Sequence, residues 1–304
     1  MDNRKTFMAT LAALMAQVIF GLSFMSTKLA LDFASPLTVI ADRYIVAFFG
    51  LTAVMFISRK TVRFGKNLWK LVVMSLFQPV LYFVFESYGI SMTTSAFSSI
   101  MISLIPVVSM LCGTFALREV PSPMQYVFMT LSVLGVVIMA LAGKSDGTVT
   151  TLGIILLFGA VISSVIFNIS SRKISKEFTA FERTYAMTVI GLIVFLSISV
   201  VENIENPIAV VSSFMSPRFC GAVIYLGFVS SVVAFLLLNY ANTHLPVAKT
   251  TVFSNITTVV SVIAGVVFLN EKFSVAAAIS TVMIIIGVCG VQMLDTKNIV
   301  KLKK

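Results

Sequence analysis

Charge is scarce in this chain. Only 11% of its 304 residues are Asp, Glu, Lys or Arg, where soluble domains carry about 25%. A soluble chain of this size would have too few charges to coat its surface. Hydrophobic residues make up 58%, so lipid is the solvent that fits. Histidine is all but missing, and the single His244 excludes a multi-histidine metal centre. Cysteine is rare. Cys112, Cys220 and Cys289 each lie inside an apolar run and read as small buried residues, which argues against a disulfide framework and a metal cluster. No polar gap is long enough for a soluble domain, which excludes a primary pump unless a partner chain supplies the nucleotide-binding domain. The net charge is +10, but the basic residues lie between apolar runs rather than in one patch, which argues against a nucleic-acid partner.

What the chain does have is apolar runs. A membrane helix needs about 20 mainly apolar residues, and ten such runs lie at 7–28, 37–57, 69–89, 96–116, 124–143, 151–171, 182–201, 219–240, 247–269 and 274–294. Pro36, Pro121, Pro123, Pro207, Pro217 and Pro246 fall at span ends, where proline belongs. The first run follows Arg4 and Lys5 as a signal peptide would. Its apolar stretch is longer than a usual signal core and nine spans follow, so it reads as a retained helix. With the N-terminus cytoplasmic, sixteen Lys and Arg residues face the cytoplasm and five (Lys28, Arg43, Lys144, Arg218, Lys272) face away, with Lys249 near a cytoplasmic end. This bias places both termini in the cytoplasm, and most of the positive charge faces anionic lipid.

Residues 103–119 read SLIPVVSMLCGTFALRE and residues 255–271 read NITTVVSVIAGVVFLNE, 152 positions later. At that spacing Tyr88 meets Tyr240, Gly113 meets Gly265, Glu119 meets Glu271 and Gly135 meets Gly287. The unit holds five helices, an odd number, so the second copy crosses the membrane in the opposite sense. The expected fold is all-α integral membrane, ten transmembrane helices as two inverted five-helix repeats, 1–147 and 148–304, a plan recurrent in secondary transporters.

Several stretches also carry a family resemblance. Phe20-Gly21 is similar to a Trp-Gly pair, Asp42-Arg43-Tyr44 to an Arg-Phe pair, and YFVFESYGISMTTSAFSSIMISLIPVV with LREV, echoed by KTTVFSNITTVVSVIAGVVFLNEKFS, is the fullest match. The chain resembles the EamA-type members of the drug/metabolite transporter superfamily over nearly its whole length. The resemblance implies ten helices in two inverted halves and transport of small metabolites, often outward export of amino acids. Phe20 in place of Trp, and Thr258 where the second half often has the proline that Pro106 supplies in the first, depart from the pattern.

Polar groups inside lipid are expensive and mark function by default. Glu86 reads as the one acidic residue well inside a span, about one turn from its outer end. It is either a proton acceptor or partner for a substrate ammonium, or an interfacial carboxylate paired with Arg43. Gln17, Gln78, Tyr82, Ser103 and Asn255 lie near the expected midplane and have side chains costly to bury unpaired; Ser163, Ser164, Ser230, Ser231 and Thr258 lie there too, and any of them can instead be interhelical glue. Tyr88 joins the candidates beside Glu86. Lys249 either snorkels to headgroups or meets a substrate carboxylate. Pro79 and Pro106 are candidate helix bends, since proline frees a backbone carbonyl, and they mark helices 3 and 4 as cavity walls. His244 is expected in a solvated loop, and Glu119 and Glu271 at the turns into their next helices.

An enzyme needs paired acids, a nucleophile with a base, or a metal cluster, and none is present. The reading is a non-enzymatic secondary transporter, most plausibly an exporter of small organic metabolites such as amino acids, working by alternating access in a bacterial cell membrane. Its partners are a small-molecule substrate and the bilayer, with proton coupling or facilitated diffusion both open, no cofactor, and no oligomeric state fixed by the sequence. The alternative is a lipid or lipid-precursor flippase on the same scaffold.

Overall fold

The structure is a computed structural model that describes residues 3–59, 61–62, 67–117, 122–145, 149–205, 213–245, 253–271 and 274–293. At a few of these, Asn255 among them, only the backbone is described. Among the described residues there is no strand. The helices are α1 (Asn3–Leu31), α2 (Pro36–Ile57), α3 (Leu68–Ser91), α4 (Ser95–Ile102), α5 (Ile105–Leu117), α6 (Pro123–Ser145), α7 (Thr151–Ile174), α8 (Ala180–Glu202), α9 (Pro217–His244), α10 (Ser254–Leu269) and α11 (Val275–Met293). Six of them, α1, α2, α3, α7, α8 and α9, are long and apolar enough to cross a membrane, and the others include shorter apolar helices.

Local chemistry sets the helix starts. Ser35 caps α2 ahead of Pro36, Thr94 caps α4 and Thr150 caps α7, each side chain accepting from a first-turn N–H at 3.0–3.3 Å. At α8, Thr179 and Glu182 form a reciprocal capping box. Burial is inverted relative to a soluble protein. Ser95, Ser98, Ser99, Ser132 and Asn239 are fully buried, while Phe49, Phe56, Ile57 and Val201 are more than two-thirds exposed. Polar groups inside and apolar groups outside suit lipid. This is a multi-pass membrane protein.

Two of the expected straight spans are interrupted. The run 96–116 is broken at Ser103–Leu104 into α4 and α5, just before Pro106, which has no N–H to return to Ile102. Ser103 fills the gap, its N–H reaching Ser99 O and its hydroxyl donating to Ile100 O at 2.6 Å. Within α3 a π-helical stretch, Leu76–Leu81, contains Pro79 and an extended Gln78 (φ −145°, ψ 112°). The run 219–240, which has no proline, holds a second π-helical stretch at Tyr225–Ala234. Advanced by 152 positions, the first π stretch falls inside the second.

The α6–α11 contact is reciprocal. A Cβ at Gly135 would lie 2.7 Å from Ile284 and 2.9 Å from Ser280 O, while one at Gly287 would press on Ser132 and lie 2.6 Å from Phe128 O. Phe128 and Ser132 stand 152 positions before Ser280 and Ile284. Each glycine therefore admits the same two positions of the other helix.

Lys70 at the start of α3 and Asn67 both donate to Glu177, in the α7–α8 turn. These hydrogen bonds hold the Glu177 carboxyl below the ordinary carboxylate range. A depressed carboxylate contributes stability above its unfolded value and loses it as pH falls through its folded one. Being exposed, the pair contributes little. Glu177→Gln is expected to leave the melting midpoint near wild type at pH 7 and to flatten the decline of that midpoint between about pH 5 and pH 3; an unchanged acid limb shows that the pair does not form.

Candidate functional site

Polar side chains from both sequence halves converge on one cavity, with about 600 Å³ of space between atoms, its mouth included. Helix α3 supplies Gln78, Tyr82, Phe83 and Glu86, and α1 supplies Gln17, Phe20, Ser23 and Phe24. Arg43 comes from α2, Ser164 and Asn168 from α7, Phe235 and Leu238 from α9, and Ser254 and Thr257 from α10. Ile102 and Ile105 flank the α4–α5 break. Four of these pairs, Phe83 with Phe235, Glu86 with Leu238, Ile102 with Ser254 and Ile105 with Thr257, are 152 positions apart.

The polar groups are held individually. Tyr82 donates its hydroxyl to Glu86 Oε1 at 2.7 Å, one helical turn away. Thr257 donates to the Gln17 side-chain oxygen at 2.7 Å and lies 3.0 Å from the Gln17 main-chain oxygen. Asn168 accepts from Asn242 at 3.2 Å and donates to Ser164 O at 2.9 Å. Gln78 Oε1 is sealed from solvent and meets no donor. Phe20 and Phe83 both meet Phe235 edge-on, at 5.2 and 6.2 Å between centroids, so the wall opposite the polar groups is aromatic. Arg43 and Glu86 face the same space, yet among the described residues they form no ion pair within 4.0 Å. An enclosed apolar box with a few aimed charged and amide groups can bind a small polar organic molecule.

The family model described as the EamA-like transporter family matches the chain twice, over residues 7–141 and 151–293. The chain belongs to the EamA-like transporter family. Among its EamA-like relatives, the uncharacterized transporter YcxC of Bacillus subtilis (strain 168) is 32% identical over 288 residues, covering 93% of this chain and 92% of that protein. An uncharacterized transporter of Archaeoglobus fulgidus is 23% identical, covering 88% and 93%. A protein of known crystal structure shares the fold at TM-score 0.66 and 18% identity, covering 94% of this chain and 99% of that one.

Of the residues singled out in this EamA-like chain, Gln17, Gln78, Tyr82 and Glu86 meet in the cavity. Tyr88 is half-buried and Ser103 fully buried, and neither lines it. Pro79 sits in the π stretch of α3 and Pro106 is buried at the start of α5. Lys249 and Glu119 lie outside the described residues, as does the side chain of Asn255. Helices 3 and 4 are not the chief walls, because α1 contributes as much as α3 and the α4–α5 rod only two isoleucines. Glu86 does not stand alone among acids. Asp42 in α2 is also 4% exposed, and its Oδ2 meets no donor. His244 ends α9 rather than lying in a loop, its ring tilted against Tyr240 with centroids 4.4 Å apart. Sequence reasoning passed over Arg43 except as a partner for Glu86, and missed Asn168. An asparagine one turn after Ser164 on the same face was the available signal.

Glu271 has a more distant partner than its own next helix. Its carboxylate accepts from the Ser95 and Ala96 N–H groups at 2.7 and 3.1 Å, at the start of α4, where a helix N-terminus favours negative charge. Beside it Lys28, near the end of α1, donates to Ile90 O at 3.0 Å and Thr93 O at 2.7 Å. These contacts tie α1 and the α10–α11 corner to the α3–α4 corner at one end of the molecule.

Proposed function

We propose that this chain is a secondary transporter that moves small organic metabolites, amino acids among them, by alternating access around the central cavity, with net export from a bacterial cell. The observation that carries this reading is the cavity itself, walled by helices of both sequence halves and holding Glu86 and Tyr82. The reciprocal α6–α11 packing, the two π stretches and the four lining pairs support two inverted five-helix halves, 1–147 and 148–304, with both termini cytoplasmic. On that plan the Glu271 and Lys28 contacts lie at the outer end, and Glu86 takes up a substrate ammonium or an exchanged proton.

Proteoliposomes loaded with the twenty L-amino acids, with and without a pH gradient, test the proposal on wild type and Glu86→Gln. Efflux accelerated by the gradient in wild type and insensitive in the variant supports proton exchange at Glu86. Equal, gradient-independent efflux from both makes the protein a facilitator and Glu86 a structural residue. If no amino acid leaves, the amino-acid reading falls, and a lipid-scrambling assay on the same vesicles takes over.

A further inference from the structure

Arg43 is buried without a contact ion pair; Glu86, across the same cavity, acts on it only through space. Arg43 is 3% exposed, and among the described residues no carboxylate comes within 4.0 Å of its guanidinium. A buried charge is normally paired, because leaving water without compensation costs several kcal/mol. The partners here are neutral. Nε donates to Ser231 Oγ at 2.6 Å, Nη2 donates to Ser230 Oγ at 3.0 Å, and the guanidinium carbon lies 3.9 Å from the centroid of the Phe83 ring. These contacts occupy two of the five N–H groups. Among the described residues the remaining edge has no protein partner, and Arg43 lines the cavity.

The support for this arrangement is built in. Ser230 and Ser231 are consecutive, and both hydroxyls reach one guanidinium from the π-helical stretch of α9. One turn earlier, Gly227 lets α9 approach α2 so closely that a Cβ would lie 2.7 Å from Arg43 O and 2.5 Å from Val46 Cβ. The backbone that carries the guanidinium and the helix that carries the hydroxyls are thereby pinned together. Hydroxyls orient a guanidinium without cancelling its charge, as a carboxylate would.

Glu86 is arranged likewise. Tyr82 occupies Oε1, Oε2 has no partner among the described residues, and Gln78 Oε1 nearby on α3 is an acceptor without a donor. The serines hold Arg43 and the tyrosine holds Glu86, so the two charges share the cavity without closing on each other. We propose that Arg43, aimed by Ser230 and Ser231, is the subsite for a substrate carboxylate, and that the transported solute is a zwitterion with its ammonium at Glu86. A guanidinium fork matches a carboxylate geometrically. The inference rests on the reading that the cavity carries a small solute. It adds the positive half of the site and excludes plain amines.

The test uses full-length protein in proteoliposomes, loaded either with the twenty L-amino acids or with the amines that lack only their carboxylates. Wild type is expected to release at least one amino acid and not its amine. Arg43→Gln should raise the half-saturation for that amino acid by about 10- to 100-fold, the range for losing hydrogen bonds to a charged group. The double variant Ser230→Ala/Ser231→Ala should raise it about 5- to 10-fold with the saturated rate unchanged, and Ser230→Thr/Ser231→Thr, which keeps both hydroxyls, should fall closer to wild type. The same amino acid should raise the melting midpoint of wild type and not that of Arg43→Gln. Amines released as fast as amino acids overturn the zwitterion. Folded Arg43→Gln with wild-type half-saturation overturns the subsite, and serine variants that lower stability alone, leaving half-saturation untouched, overturn the positioning role. In each case the solute reading stands. If wild type releases neither set, the solute reading itself falls, and the inference with it.

Discussion

Arg183→Ala is expected to remove about 4 kcal/mol of folding stability, more than any other single truncation in the molecule. Arg183 is fully buried in α8, and among the described residues no carboxylate pairs with it within 4.0 Å. Its guanidinium donates to Ser171 O at 2.9 Å, to Ser171 Oγ, to Asn239 O at 2.8 Å and to Thr243 Oγ1, joining α7, α8 and α9. Asn239 closes the ring, accepting from Ser171 at 2.9 Å and donating to Thr184 at 2.9 Å. Alanine takes the charged donor away from four buried oxygens, although Asn239 O keeps the Thr243 hydroxyl, and opens a cavity, and both effects add. Arg183→Met keeps the volume and removes the charge, so it should recover a large part of the loss, as apolar replacements of buried charges often do. Thermal unfolding in detergent decides. If alanine melts with wild type, the network contributes nothing to folding. If methionine is as damaging as alanine, hydrogen bonding rather than volume dominates.

Gly265→Val should release the end of the molecule held by Glu271. A Cβ at Gly265 would lie 2.6 Å from Glu271 Oε2 and 2.8 Å from Ser95 Oγ, so a larger residue displaces the carboxylate from the α4 N-terminus. The approach also depends on Asn270, whose left-handed φ of 53° turns the chain, and on the Glu271 N–H bonding Gly265 O at 3.1 Å. Two hydrogen bonds to a charged acceptor are lost, about 3 kcal/mol in all. A thiol probe at Ser95→Cys, in a background with Cys112, Cys220 and Cys289 replaced, should react at least ~10-fold faster in the valine variant, since about 3 kcal/mol shifts a local opening equilibrium by more than that. Glu271→Gln retains one acceptor oxygen and should fall between. Unchanged reactivity would mean that the tie does not close this end.

Much of the fold was legible because lipid imposes a simple rule on sequence. Runs of about 20 apolar residues marked the six long helices, and the π stretches and four lining pairs fall at the spacing of 152 already visible in the sequence. The breaks were partly legible. Pro79 and Pro106 announced theirs, but the π stretch of α9 contains no proline, and widening there is set by packing against α2. The site was legible only where a polar residue was conspicuous. Glu86, Gln17 and Gln78 stood out as costly groups in apolar runs. Arg43 did not, because a cation seven residues into a helix reads as an interfacial anchor until the fold puts Ser230 and Ser231 beside it. The Glu271 contact spans 176 positions, and no local pattern encodes a partner that far away.

The opposed charges of Arg43 and Glu86 carry an electrical consequence. Both are fixed to helices, and a zwitterion seated between them adds no net charge. Moving one elementary charge through a membrane potential takes about 2.3 kcal/mol per 100 mV, and moving a neutral solute takes none. Flux of the solute alone is then blind to voltage and follows its concentration gradient, whereas each proton exchanged through Glu86 makes the cycle carry current. Clamping the voltage across the proteoliposome with a potassium diffusion potential therefore counts the protons moved per solute.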